Sequence, residues 1–592
     1  MDILLVASAF NSLTQRVFAE LGDRGHRVAV ELALGDEALR EAVASHSPEL
    51  IVAPMLRTAI PRDIWSAYTC LIVHPGPVGD RGPSSLDRAV TEGAEEWGVT
   101  VLQAVAEMDA GDVWASVACP VPPVGKSDLY RNEIGDAAAR AVMLAVERVA
   151  AGSYVPRPQQ ATSATSATSA APAAPAAPGA EGPAEPAAAG PGAPRSRPYL
   201  DQSERRIDWT ADPTELVVRK LRAADSQPGV LDDLLGVQWY LHGGHPEDVL
   251  RGRPGTLLAT RAGAVCRATV DGAVWLPELR PRRKPGGPAT FKRPAVLALG
   301  DRMPALPESA VPLWLPRERR TYSDIRYEED GQIGFLRFAF PGGAMSTDQC
   351  RRLLAAHRFA CSRPTTVLVL GGARDFFSNG IHLNVIQGAA DPAQESWENI
   401  NAMDDLVEAL LTTPDRLVVA ALAGNAAAGG VPLALAADEV WCRAGAVLNP
   451  HYRLMGLHGS EYWTYTLPRR VGDAQAERLM RQALPVTAAR ARDLGLVDLV
   501  LDSTPAQFGA AVAERAARLA SAPRTQQRVV EKKARRERDE ETLRAHRERE
   551  LARMRQTFFD PDAPYHALRS AFVTKQRPAR TPEHLRCGNT AD

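Results

Sequence analysis

His74 closes the apolar run Cys-Leu-Ile-Val-His at 70–74, and Asp109 sits in Met-Asp-Ala-Gly-Asp just after the run Val-Thr-Val-Leu-Gln-Ala-Val at 99–105. An imidazole and a carboxylate at neighbouring strand ends can relay a proton and stabilise a tetrahedral intermediate, which is what transfer of an acyl group from an amide-like donor needs. Alone, a His-Pro and an Asp-Ala-Gly are equally at home in turns. A second set lies far downstream in Phe-Phe-Ser-Asn-Gly-Ile-His-Leu-Asn at 376–384 and in the stretch from Gly424 to Asp438. Each is a glycine-containing loop after an apolar strand. Two such loops can aim backbone N–H groups at the oxyanion that develops on a thioester carbonyl. Glycine at 429 allows the close backbone approach this requires.

Those residues need scaffolds. Residues 1–150 alternate short apolar runs (3–7, 27–32, 50–53, 70–74, 99–105) with segments of helical length, which predicts a parallel α/β sheet with its ligand at the carboxyl ends of the strands. No Gly-x-Gly-x-x-Gly follows the first strand, so a dinucleotide site is not expected. Residues 152–198 are almost wholly Ala, Pro, Ser, Thr and Gly and read as a disordered linker. Period-2 runs and the Asp271-Gly272 turn signal predict a small β-barrel within 199–316. From 323 to 592 the α/β alternation returns, with strands at IGFLRFAF, TVLVLGG, LVVAALAG and EVWCR. The charged stretch 505–556 reads as a solvated helix laced with i,i+4 ion pairs, packing across domains or subunits.

The chain has 592 residues, 69 basic and 71 acidic side chains and a formal net charge of -2, so neither nucleic acid nor an anionic membrane is expected as a partner. Seven scattered cysteines without Cys-x-x-Cys spacing argue against a metal site or disulfide framework and fit a reducing cytoplasm. The first residues lack a signal-peptide pattern and a span-length apolar run.

His-Pro-Gly-Pro with its glycine-rich continuation, followed by Gly-Val-Thr-Val-Leu-Gln-Ala-Val-Ala-Glu-Met-Asp-Ala-Gly-Asp-Val, resembles the 10-formyltetrahydrofolate transferases. The resemblance covers 1–315 and implies a Rossmann-like folate domain at 1–151 and an OB-like barrel at 199–316. It implies His74 and Asp109 as catalytic, with Arg57, Thr58, Ala59, Ala106 and Asp109 at the folate. The family's strand asparagine and second histidine fall on Ile72 and Leu102, so an unmodified amine-acceptor mechanism is not expected.

The loops at 376–384 and 424–438 resemble those of the enoyl-CoA hydratase/isomerase (crotonase) family. The resemblance implies a crotonase fold over 323–592, the Ile381 and Gly429 N–H groups as the catalytic oxyanion hole, and coenzyme A held near Asn379, Gly380, Ile381 and Gly429. The glutamates of hydratases fall on Pro432 and on His451 or Tyr452, depending on a one-residue gap. Hydration of a double bond is therefore not expected, and cleavage next to a thioester carbonyl is. Tyr452 is the first candidate for the acid–base group of that cleavage and His451 the second. Glu461 and Tyr462 in Gly-Ser-Glu-Tyr-Trp-Thr-Tyr read first as stabilisers of their loop, with Glu461 next in line for the acid–base role.

Both halves in this order resemble a family of [NiFe]-hydrogenase maturation factors. That resemblance implies formyl transfer from 10-formyltetrahydrofolate to coenzyme A, then decarbonylation of formyl-CoA to carbon monoxide. Small-molecule substrates and a [NiFe]-hydrogenase large subunit or its maturation proteins would be the partners. Two rivals are a formyl-CoA-linked hydrolase that releases formate, and a non-catalytic one-carbon carrier or scaffold.

Overall fold

The computed structural model describes residues 1–159, 195–316 and 318–590. Most of the segment read as a linker lies outside the described residues.

The first sheet has six strands in the order Arg27–Leu32, Asp2–Ala7, Leu50–Met55, Cys70–His74, Glu96–Gln103, Val113–Pro120. Its central strands are buried along almost their whole length, as apolar runs covered by helices on both faces must be. The sheet is not parallel throughout, which corrects the sequence reading. Glu96–Gln103 runs antiparallel to Cys70–His74, and Val113–Pro120 antiparallel to Glu96–Gln103. The helix Ser85–Glu92 that precedes the reversed strand packs against the helix Thr214–Ala223 of the next domain and does not serve as a crossover. Gln103 therefore pairs beside Leu71, at the far end of the strand from His74. The loop between Gln103 and Val113 must fold back to carry Asp109 toward His74.

The second domain holds two four-stranded sheets, one of Arg293–Pro294, Glu278–Pro281, Val237–His242 and Val230–Leu234, the other of His245–Glu247, Ala273–Leu276, Ala264–Ala268 and Leu257–Arg261. One stretch of chain, broken at Pro277, contributes a strand to each sheet. The Asp271-Gly272 signal forms a four-residue hairpin loop in which Ala268 pairs with Ala273. The Asp271 carboxylate accepts the Thr214 N–H at 2.8 Å and so ties the turn to the helix Thr214–Ala223.

In the third domain a six-stranded sheet runs Ile325–Asp330, Ile333–Phe338, Val367–Gly371, Leu417–Leu422, Glu439–Arg443, Leu499–Leu501, parallel after its first pair. A smaller sheet of Phe376–Ser378, Asn425–Ala427, Val447–Asn449 and Val486–Thr487 carries both glycine loops.

Ion pairs fasten the first domain to the third. Arg443, buried, reaches Asp136 at 2.9 Å, and Arg131 reaches Asp375 at 3.0 Å. Burial alone would raise the Asp136 carboxyl, but Arg16 and Arg443 outweigh it and hold it below its ordinary range. The C-terminal segment returns to the first domain, where the Thr581 hydroxyl donates to Glu31 at 2.6 Å and accepts the Leu32 N–H at 2.9 Å. Among the described residues no helix is long and apolar enough to cross a membrane.

Candidate functional site

One continuous cavity of about 1480 Å³ is lined by residues of all three domains, including His74 and Asp109 from the first and Ile381, Gly429 and Tyr452 from the third. Pockets for a single small molecule span about 300–1,000 Å³, so this space can admit more than one ligand. Arg131, Lys126, Lys292 and Arg280 also line it, the first three paired with the carboxylates of Asp375, Asp87 and Glu278.

In the first domain His74 is buried, with Nδ1 3.4 Å from Asp109 Oδ2. Asp109 has φ 55°, a left-handed conformation that a non-glycine residue adopts at a cost. It is held there by the Gly82 N–H, which donates to Oδ2 at 3.1 Å, and by Gln159 Nε2, which donates to the Asp109 and Gly111 carbonyls at 2.8 and 2.9 Å. A Cβ on Gly111 would lie 1.8 Å from the Gln103 carbonyl oxygen, which explains the glycine after Asp-Ala. Arg57, Thr58, Ala59 and Ala106 line the same cavity. Ile72 and Leu102 are direct cross-strand partners and also line it, so an apolar floor stands where the formyltransferases place an amide and an imidazole.

In the third domain Gly380 (φ 76°) and Ala428 (φ 46°) turn their loops toward each other. A Cβ on Gly380 would lie 3.0 Å from the Gly429 nitrogen. Among the described residues neither the Ile381 nor the Gly429 N–H donates to a protein acceptor, which leaves both for a ligand oxygen. Asn379 lines the cavity, but its Nδ2 is occupied by the Gly342 carbonyl at 2.7 Å. Gly380, expected to touch coenzyme A, is not part of the cavity wall. Its N–H donates to Ser378 Oγ at 3.1 Å, and its role is to let the two loops approach.

Glu461, read from the sequence first as a stabiliser of its loop and next in line after Tyr452 and His451 for the acid–base role, joins these loops. A Cβ on Gly429 would lie 2.0 Å from Glu461 Oε1, and Glu461 Oε2 accepts the Tyr452 hydroxyl at 2.7 Å. Both side chains are buried. Burial pushes the Glu461 carboxyl up to about 7, although the hydrogen bonds from Tyr452 and the Ser460 N–H oppose it. Burial, and then the charge of Glu461, raise the Tyr452 phenol well above its ordinary value. Glu461 and Tyr462 both have φ 59°. The Glu461 and Tyr462 N–H groups donate to Asp404 at 2.8 Å and Glu550 at 2.9 Å, two buried carboxylates that hold the turn. Burial raises both carboxyls, with Glu461 and Glu550 adding to the effect at Asp404.

Glu550 belongs to the 35-residue helix Thr525–Phe559, whose Met554 also lines the cavity. This corrects the reading of that stretch as a solvated helix with no role beyond packing across domains or subunits, because one face of it builds the site wall. His451 lines the cavity but stands apart from the Tyr452–Glu461 pair. Its Nδ1 donates to the Asn449 carbonyl at 3.0 Å, and burial lowers its pKa. Pro432 sits in the helix Gly430–Leu435 and offers no titratable group. A charged residue in a glycine–serine turn nine places beyond a tyrosine gives no periodic signal. Only the left-handed turn reveals where Glu461 points.

The formyl transferase family model matches residues 11–146, that of the formyl transferase C-terminal domain residues 199–292, and that of enoyl-CoA hydratase/isomerase residues 345–579. The hydrogenase maturation factor HoxX of Bradyrhizobium diazoefficiens is 44% identical over 589 residues, covering 98% of this chain and 96% of that protein. A methionyl-tRNA formyltransferase of Aromatoleum aromaticum is 26% identical over 271 residues, 44% of this chain and 73% of that protein. The crystal structure of HypX from Aquifex aeolicus in complex with tetrahydrofolic acid superposes with a TM-score of 0.91 at 41% identity, covering 99% of this chain and 98% of that one.

Proposed function

Because this chain belongs to the family of the hydrogenase maturation factors HoxX and HypX, we propose that it makes carbon monoxide in two steps, by formyl transfer from 10-formyltetrahydrofolate to coenzyme A and then by decarbonylation of formyl-CoA. Both compounds are substrates, and coenzyme A enters and leaves as the free thiol. The observation that carries this reading is the single cavity, which is lined both by His74 and Asp109 and by Gly429, Tyr452 and Glu461. An acyl group handed to a mobile thiol can pass between such sites without meeting bulk water. Among the described residues no cysteine lines the cavity, so the acceptor thiol comes from a ligand.

In the first step His74 and Asp109 take the proton of the attacking thiol and stabilise the tetrahedral centre. The apolar pair Ile72 and Leu102 suits a thiol better than a strongly hydrated amine. In the second step the Ile381 and Gly429 N–H groups polarise the formyl carbonyl. Glu461, facing Gly429, accepts the formyl proton while the C–S bond breaks. Tyr452, bonded to Glu461, passes a proton to the departing sulfur, giving CO and the thiol. The pair is reset when the proton held by Glu461 returns through the hydrogen bond to the phenolate. The product CO would serve as a ligand in a [NiFe]-hydrogenase.

Purified protein given 10-formyltetrahydrofolate should release tetrahydrofolate only when coenzyme A is added. Release at the same rate without coenzyme A would overturn the proposed acceptor.

A further inference from the structure

His74 is gripped from two sides. Besides the 3.4 Å approach of Nδ1 to Asp109, its Nε2 lies 3.0 Å from Oδ2 of Asp80, a buried carboxylate that neither spacing nor family resemblance singled out. The other oxygen of Asp80 forms an ion pair with Arg197 Nε at 2.9 Å. An arginine-paired carboxylate accepts hydrogen bonds and donates none, so the imidazole must donate from Nε2.

The surrounding backbone is shaped around this contact. A Cβ on Gly76 would fall 2.4 Å from His74 Nε2 and 2.5 Å from Asp80 Oδ2, so any other residue there would part the two. Asp80–Arg81 pairs in parallel with Arg195–Ser196, and the Arg197 N–H donates to the Arg81 carbonyl at 2.8 Å. Gly82, at φ 115°, passes against the Arg197 carbonyl, where a Cβ would lie 2.1 Å away. Glu92 takes the far end of the Arg197 guanidinium at 2.6 Å. The chain that follows the Ala/Pro-rich segment is thus laid down as the backing of Asp80.

We infer that Asp80, braced by Arg197, is a positioning residue that fixes His74 as its Nε2–H tautomer and so presents the Nδ1 lone pair on the Asp109 side. The inference rests on the formyl-transfer reading above. The thiol S–H proton passes to Nδ1 as the C–S bond forms, the bond from the formyl carbon to N10 breaks, and N10 receives that proton on leaving. A ring free to adopt the Nδ1–H tautomer would have no base to offer on this side. Asp80 therefore does the orienting that the strand asparagine, here Ile72, cannot do.

The test uses full-length protein labelled with [15N]histidine, with long-range proton–nitrogen spectra at pH 8 and the His74 signals identified by their loss in His74→Gln. The wild type should show the Nε2–H tautomer, and this measurement needs no variant to fold. Asp80→Asn should shift His74 toward Nδ1–H. It should lower kcat of formyl transfer by about 10²–10⁴-fold, leave KM for 10-formyltetrahydrofolate within about threefold, and leave CO release from supplied formyl-CoA unchanged. An Nδ1–H or imidazolium spectrum in the wild type, or wild-type kcat in Asp80→Asn, would overturn the inference. If the wild type transferred no formyl group to coenzyme A, the functional reading would fall, while the spectrum would still decide whether Asp80 sets the tautomer.

Discussion

The Tyr452 hydroxyl donates to Glu461 Oε2 at 2.7 Å, nine residues along the chain, inside a wall that also presents the Gly429 amide. The Tyr452 proton lies between the two residues. That arrangement suits the bond-breaking step proposed above for the third domain.

Tyr452→Phe keeps the ring that packs beside Gly459 and removes the proton. CO release from formyl-CoA should fall by about 10²–10⁴-fold, while formyl transfer to coenzyme A persists. His451→Ala should release CO at close to the wild-type rate, because His451 is bonded to the Asn449 carbonyl and not to the pair. Gas chromatography on both variants decides which residue carries the step.

The carboxyl of Glu461 lies at about 7 because burial disfavours its charge. A base must be ionised, so CO release should rise with pH and reach half its maximum near 7. The Tyr452 hydrogen bond favours the charged form, so residual activity in Tyr452→Phe should have its midpoint at higher pH. The raised value also sets a sign for stability. This group favours folding below its ordinary value, and the contribution is lost as pH rises through about 7. Glu461→Gln should therefore gain in Tm relative to wild type between pH 5 and pH 8. An unchanged difference across that range would contradict the assignment.

His74→Ala or Asp109→Asn should lower consumption of 10-formyltetrahydrofolate by about 10²–10⁴-fold, with CO release from supplied formyl-CoA intact. Loss of both activities would point to a structural effect, detectable as a fall in Tm.

Gly429→Ala places a methyl 2.0 Å from Glu461 Oε1. The clash should cost about 1–3 kcal/mol of stability and remove CO release, leaving formyl transfer measurable at a temperature where the variant is folded. A variant with wild-type CO release would show that this carboxylate does not face the glycine.

The apolar strands and the glycine loops were legible because each is a local pattern. Cys-Leu-Ile-Val-His ends at His74 as read, and the loops holding Ile381 and Gly429 meet as their spacing implied. The reversal of Glu96–Gln103 was not legible, because an apolar strand reads alike in both directions. Only the packing of Ser85–Glu92 against a later domain settles the matter. Asp80, Asp404 and Glu550 escaped notice for a related reason, and Glu461 stood behind Tyr452 and His451. Each is a lone charge in a turn or helix, and its value comes from partners brought up by the fold from as far away as Arg197 or Tyr462. The long charged helix shows the same limit. Its apolar contacts, Met554 and Phe558, are too sparse to stand out among its arginines and glutamates.

The most direct measurement of the central claim is headspace analysis after purified protein is incubated with 10-[13C]formyltetrahydrofolate and coenzyme A. The account predicts 13CO in the gas phase, formed in step with tetrahydrofolate and lowered about 10²–10⁴-fold in Tyr452→Phe. [13C]Formate in solution with no 13CO above it would contradict the account and identify the chain as a hydrolase.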